Sequence, residues 1–378
     1  MLVEKVIKIP VYTFNFRMYP NKEQSELIDR IILALHKACN MAVYDMFENK
    51  INTIEKPDQN NEGQTVHFPD VNSMAKKQYL DVLRSRNEDI KLIPAGALSG
   101  KNGVFLCDLS KRLEAQVSGE NSNKKTNGKG VKRPIENSKP PYYSKKHPRT
   151  SYTYQETMSK MSFREENKNV AYFNLAKIGK VKIRGVKGYL KNIRFDCSCG
   201  MDFEEYANLH KTKQVLTTVK KDNCGDYFLQ LCLKDVYKIV KVEEEKKEIG
   251  IDVGISTLMT LSDGTKYDNP RFKNGKDGSV RQHREILNRQ LSRRQGYSNI
   301  EFREKLRELR KEDINLEASK RYIETKIKKA KLERKVTRQR KYYMENMVLE
   351  VIRRSNFIGI ETLSVKDMYV KKNKNKEW

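Results

Sequence analysis

Two carboxylates stand where an acid is costly. Asp252 lies inside the apolar run Ile249-Gly250-Ile251-Asp252-Val253-Gly254, and Glu361 closes a second one, Phe357-Ile358-Gly359-Ile360-Glu361. An ionised side chain within an apolar strand needs a paired charge or a bound cation to offset its desolvation. On adjacent strands the two acids would repel one another, and a divalent cation between them would relieve that repulsion. Mg²⁺ held by carboxylates activates water and stabilises a leaving oxygen in phosphodiester hydrolysis. Spacing alone leaves a plainer reading open, in which Asp252 marks a hairpin end and Glu361 a strand end, each solvated or bonded to a nearby arginine.

The second chemistry is cationic. The chain of 378 residues carries 76 Lys+Arg against 49 Asp+Glu, a net charge of +27, which calls for a polyanionic partner, nucleic acid first. Residues 119–150 hold nine Lys+Arg against two acids, and 281–354 hold 23 against 11. Such runs are either phosphate contacts or merely solvated faces. Tyr142, Tyr143, Tyr152 and Tyr154 are interleaved with Lys145, Lys146 and Arg149. These rings either stack on unpaired bases or belong to a β core, the core being preferred for Tyr152 and Tyr154. Cysteines at 39, 107, 197, 199, 224 and 232 contain no CxxC pair, so free thiols in a reducing cytoplasm are expected and a zinc site is not. Nothing in the sequence spans or targets a membrane.

Several elements must position these groups. Residues 1–20 alternate as strands, with Val6, Phe14 and Phe16 at even spacing and Pro10 and Pro20 as punctuation. Asn21 caps a helix whose stripe is Leu27, Ile31, Ala34, Leu35 and Ala38, with Gln24 completing a capping box. A polar loop near 56–61 precedes helices over 71–86 and 104–117. Short β-rich runs return at 151–154, 170–175, 180–183 and 227–233. Strands at 249–253 and 256–261 are followed by Ser262-Asp263-Gly264, the turn chemistry of a hairpin, and a long helical section over 281–354 then leads to the strand at 357–360. At 37% hydrophobic content the chain supports two or three modest cores, with separate lobes and a groove between them expected.

The motifs resemble those of the TnpB family, transposon-encoded RNA-guided nucleases related to compact type V CRISPR effectors. The run YTFNFRMYPNKEQ over 12–24 is similar to the family's opening, and PYYSKK over 141–146 followed by SYTY over 151–154 is similar to its basic segment before the barrel strands. GIDVGI over 250–255, LSDG over 261–264 and NPRF over 269–272 resemble the first RuvC motif, with LSRR over 291–294 as its helical continuation. IGIETL over 358–363, with Lys366-Asp367-Met368, resembles the second. The resemblance implies an α+β multidomain chain: a wedge β-barrel (1–20 and 140–243), an inserted helical recognition lobe (21–118), a basic linker (119–139) and an RNase H-like RuvC domain (244–378). It implies a guide RNA whose pairing to one strand of double-stranded DNA supplies specificity while the protein reads a short flanking motif. Nucleic-acid contacts are expected from Arg17, Lys22, Lys76, Lys77, Gln78, Lys145, Lys146, Arg149, Arg293 and Arg294, and Mg²⁺, if any, on Asp252 and Glu361.

One departure from the family pattern shapes the expectation. Relatives carry a zinc ribbon and a third catalytic Asp after the second motif, whereas this sequence stops seventeen residues past Glu361, and neither Asp268 nor Asp367 stands in the missing place. The expectation is therefore a shortened RuvC domain that binds without cutting, as in nuclease-dead TnpB descendants that repress transcription by occupying promoters in the bacterial cytoplasm. The alternative is a Mg²⁺-dependent DNA endonuclease whose third acid comes from elsewhere or from a longer form of the chain.

Overall fold

Strand β1 runs unbroken from Leu2 to Tyr19, passing through Pro10 where the sequence suggests an interruption. Phe14, Phe16 and Met18 are buried and Thr13, Asn15 and Arg17 exposed, the period-two alternation of a strand with one face on a core. Helix α1, Lys22–Phe47, starts at the expected cap: Asn21 Oδ1 accepts from the Gln24 amide at 2.7 Å and Gln24 Oε1 accepts from the Asn21 amide at 3.1 Å. Two orphan donors of the first turn are thereby satisfied. The same Gln24 side chain donates to the Lys180 carbonyl at 3.1 Å, fixing the helix start against the sheet.

The computed structural model describes residues 2–58, 63–117, 134–143, 148–163, 169–186, 193–195, 207–208, 211, 213–243, 247–254, 257–275, 278–294 and 319–361. Cys197, Cys199, most of the 119–139 linker, Lys145, Lys146, Asp367 and the last residues of the chain lie outside them. The chain divides into two compact units, 7–238 and a second made of 1–6 with 239–378. Among the described residues no helix is long and apolar enough to cross a membrane.

In the larger unit, α1 is followed by the hairpin β2 (Thr53–Pro57) and β3 (Thr65–Pro69), and the stretch that reads as polar loop, 56–61, overlaps only the end of β2. The helix expected over 71–86 is two, α2 (Val71–Met74) and α3 (Lys77–Arg86), because Lys76 between them takes an extended conformation. After α4 (Ala95–Leu98), one π-helical turn, Val104–Leu109, feeds α5 (Ser110–Val117). Strands β4 (Ser151–Thr157), β5 (Met161–Phe163), β6 (Val170–Leu175), β7 (Gly179–Arg184), β8 (Ile193–Phe195), β9 (Gln214–Lys221) and β10 (Tyr227–Glu243) join β1 in one sheet, ordered β4-β9-β10-β1-β7-β6-β5 with β8 against β10. The helices are thus inserted between strands of a single sheet. They do not form a core of their own: Ile31, Leu35 and Phe105 share one apolar cluster with Phe14, Tyr152 and Phe173. Tyr152 and Tyr154 are core residues, 0% and 3% exposed.

The second unit holds β11 (Lys247–Asp252), β12 (Thr257–Leu261), β13 (Lys266–Asp268), α6 (Ser279–Arg294), α7 (Lys320–Arg354) and β14 (Ser355–Ile360). Its sheet order is β13-β12-β11-β14, with β11 and β14 parallel. Parallel neighbours need a long crossover, which α6 and α7 supply. Met347 and Val351 of α7 pack on Ile249, Met259 and Leu261 to make a small separate core.

One buried charge ties the helices of the larger unit together. Asp45 of α1 is fully buried; Arg86 Nη1 donates to both its carboxylate oxygens at 2.7 Å and Tyr79 Oη donates at 2.8 Å. Burial, then the Asp45 bond, pushes the Tyr79 phenol far above its usual range. Removing Arg86 leaves an uncompensated carboxylate inside the protein. Arg86→Ala is expected to destabilise this unit by about 3 kcal/mol in chemical unfolding, whereas Arg84→Ala, which loses only a surface pair with Asp81, costs under about 1 kcal/mol.

Candidate functional site

The two acids are brought into step by strand pairing. In the parallel register Ile249 faces Ile358, Gly250 faces Gly359 and Ile251 faces Ile360, so Asp252 and Glu361 follow one residue later at the carboxyl ends of both strands. That end of a parallel pair is where open α/β sheets collect ligands. Alternation separates the faces: Ile249 and Ile251 pack toward α7, and Asp252 shares the opposite, exposed face with Gly250. Continued along β14, the same alternation sets Glu361 with Gly359. The glycine pair leaves a bare floor before the acids. A Cβ at Gly359 would meet only Phe357 Cε1 at 3.9 Å, and one at Gly250 would touch the Ser262 side chain at 3.6 Å. A phosphodiester backbone can therefore approach the sheet closely here.

The donor set fits a hard cation in a limited way. Two carboxylates with water and phosphate oxygens are a common Mg²⁺ environment. Among the described residues no group of three or more His, Cys, Asp or Glu is arranged to hold a metal ion. Asp252 and Glu361 are both exposed, so neither needs a cation to justify burial.

Helices α6 and α7 carry much of the second unit's positive charge. Helix α7 alone carries thirteen Lys+Arg against four Glu, and from Thr337 to Tyr342 every residue is exposed. The helices are clamped by Arg284 with Glu333 at 2.8 Å and by Arg294, whose Nη1 donates to the Arg321 carbonyl at 2.8 Å. Arg294 is thus partly engaged inside the pair, while the neighbouring Arg293 is exposed.

The expected contacts of the larger unit fall into three groups. Lys76, Lys77 and Gln78 are exposed at the start of α3, where no side chain caps the helix. Lysines at an uncapped helix N-terminus are unfavourable with the dipole and suit an anion held by both. Lys22 is exposed in the first turn of α1. Arg17 pairs with Asp226 at 2.6 Å and also lies over the Tyr19 ring at 5.3 Å, with Arg184 over the same ring at 5.0 Å. Sequence reasoning missed Arg184, because only the β1–β7 register sets Arg184 opposite Arg17.

Arg149 has a different place from the one its sequence neighbours suggest. Its side chain is only 10% exposed, bonded to Asp108 at 2.6 Å and to the Tyr143 hydroxyl at 3.0 Å, and its guanidinium lies over the Tyr143 ring beside that of Arg112. It braces the core rather than facing solvent, and Tyr143 is half-buried with it. Burial pushes the nearby Cys39 thiol up to about 12.

Residues 230–371 match the family model OrfB_IS605, described as a probable transposase. Over this segment the chain is similar to that transposase family. The matched segment includes the whole carboxylate edge and both basic helices, and it spans less than half of the chain. No curated protein matches the sequence.

The Arg149 cluster also carries a pH dependence. His36 Nδ1 accepts from the Arg149 amide at 3.5 Å, and burial first, then the Arg149 charge, lowers its pKa from 6.5. The unfolded chain therefore takes up a proton that the folded chain refuses. Stability from this group is complete above pH 6.5 and is lost as pH falls toward the folded value. Urea unfolding of the wild type is expected to weaken over that window, and His36→Gln is expected to flatten the dependence.

Proposed function

We propose that this chain binds DNA under the direction of a guide RNA, holding both nucleic acids chiefly through their backbones and not cutting the target. The observation that carries this reading is the TnpB match over a segment whose two helices present a large excess of exposed cations. Such charge gives affinity without sequence choice, so specificity falls to base pairing with the guide. In this reading the sheet of β1 and β4–β10 is the wedge domain, α1–α5 the recognition helices and the second unit a RuvC-type domain. Occupancy of a promoter on the nucleoid would then repress transcription.

Asp252 and Glu361 are the residues that would hold Mg²⁺, which would supply charge neutralisation and water activation at a phosphodiester. With the two carboxylates that the described residues place at this edge, a bound Mg²⁺ would screen the acids from a backbone phosphate more readily than a two-metal hydrolytic centre would assemble. Cleavage is the second reading, favoured by the placement of the pair at the ends of parallel strands beside a bare glycine floor.

Sequencing RNA that copurifies with the chain should return one species with a constant scaffold. Incubation of that complex with matched duplex and Mg²⁺ should yield a stable complex and intact DNA, with Asp252→Ala binding as well as the wild type. A heterogeneous mixture of cellular RNA would defeat the guided reading, and cut duplex abolished by Asp252→Ala would establish the second. Arg293→Ala is expected to lower the slope of log affinity against log salt by about one, uniformly across target sequences.

A further inference from the structure

A cavity of about 370 Å³ opens in the second unit between the loop after β13 and the middle of α7, and neither Asp252 nor Glu361 lines it. Its walls are largely apolar, with Phe272 from the loop and Tyr343 and Met344 from α7. Arg271, Lys273 and Arg340 also line it, and among the described residues no carboxylate does. None of these three cations forms an ion pair among the described residues. A volume of this size is in the range of small-ligand sites rather than of packing defects.

The walls are held in place from several directions. Phe272 meets Tyr343 edge to face, with centroids 5.9 Å apart and planes at 73°. Tyr343 Oη donates to the Asp268 carbonyl at 2.9 Å, pinning the start of the loop to the helix. Asn269 Oδ1 accepts from the Arg271 amide at 3.1 Å and the Asn274 amide donates to the Arg271 carbonyl at 2.8 Å. These bonds keep Arg271 at φ 45°, a left-handed conformation that a long side chain rarely adopts. Local strain is thus tolerated in forming the wall of this cavity.

An aromatic pair walling an apolar cavity, lined as well by three exposed cations and by no carboxylate among the described residues, suits a flat ring tethered to negative charge. We propose that the cavity receives one unpaired nucleobase of a single-stranded phosphodiester chain. Phe272 and Tyr343 supply the aromatic wall, and Arg271, Lys273 and Arg340 take the flanking phosphates. An acyl chain would have no use for three lining cations, and an acidic peptide would bring carboxylates without the planar ring. The inference rests on the nucleic-acid-binding reading above and adds a position to it.

The test uses the full chain and a single-stranded DNA of about eight nucleotides, a length typical of such sites. With 5-iodouracil in the strand, irradiation and mass spectrometry should find the crosslink on Phe272 or Tyr343. The chain should bind the oligonucleotide about fivefold or more tightly than an abasic strand of equal length. Phe272→Leu keeps apolar bulk but removes the ring, and should erase most of that preference while binding the abasic strand as before. Arg340→Ala should weaken both strands alike. Crosslinks confined to residues outside 258–274 and 340–344 would overturn the proposal, as would an undiminished preference in a folded Phe272→Leu chain. The crosslink is read on the unaltered protein, so it decides the matter even if the variant fails to fold. Equal binding of both strands by the wild type sinks the pocket alone, whereas binding of neither sinks the nucleic-acid reading as well.

Discussion

Parallel pairing of β11 with β14 constrains everything around the two acids. These strands are separated by about a hundred residues, and their shared direction forbids a tight turn between them. The chain must leave one end of the sheet and return to the other, and it does so through α6 and α7, which are too basic to bury. Their apolar contacts are few: Leu287, Val336, Met347 and Val351 are the large aliphatic side chains they bury among the described residues. The same crossover that aligns Asp252 with Glu361 therefore also erects the cationic surface beside the sheet. Alignment of acids and display of bases are two results of one topological requirement.

In the larger unit the analogous constraint is electrostatic. A carboxylate buried in α1 must be satisfied, and α3 satisfies it with Arg86 and Tyr79. Removing charge from water in this way yields little net stability, but leaving it half-made is costly, which favours one arrangement of the helices over its competitors. The Arg149 cluster works similarly, holding the segment before β4 against α1 through Asp108, Tyr143 and His36.

Much of this was legible in the residues. The Asn21–Gln24 capping box, the alternation around Phe14 and Phe16, and the two short acidic-ended strands all express local rules, and local rules can be read from sequence. The insertion of helices between strands of one sheet was inferable from where β-rich runs stop and restart. What could not be read depends on contacts distant along the chain. The β2–β3 hairpin flanks a polar stretch, 56–61, that reads as loop, and its two five-residue strands are recognised as a pair only through their cross-strand register. Arg149 looks like its basic neighbours until Asp108 and Tyr143 are seen beside it. Phe272 and Tyr343 are seventy-one positions apart in sequence, so the loop motif carried a family likeness without revealing that a helix residue completes a cavity with it.

Helix α7 has one more consequence. At 1.5 Å per residue its thirty-five residues form a rod roughly 50 Å long; Val336, Met347 and Val351 hold one face inward, and the cations of its middle spread over the wide remaining arc rather than along one stripe. A stripe would dictate a single angle of approach to a polyanion. A broad arc of charge does not, so whatever lies along it is free to shift while remaining attracted, and any fixed alignment has to be imposed by other parts of the molecule.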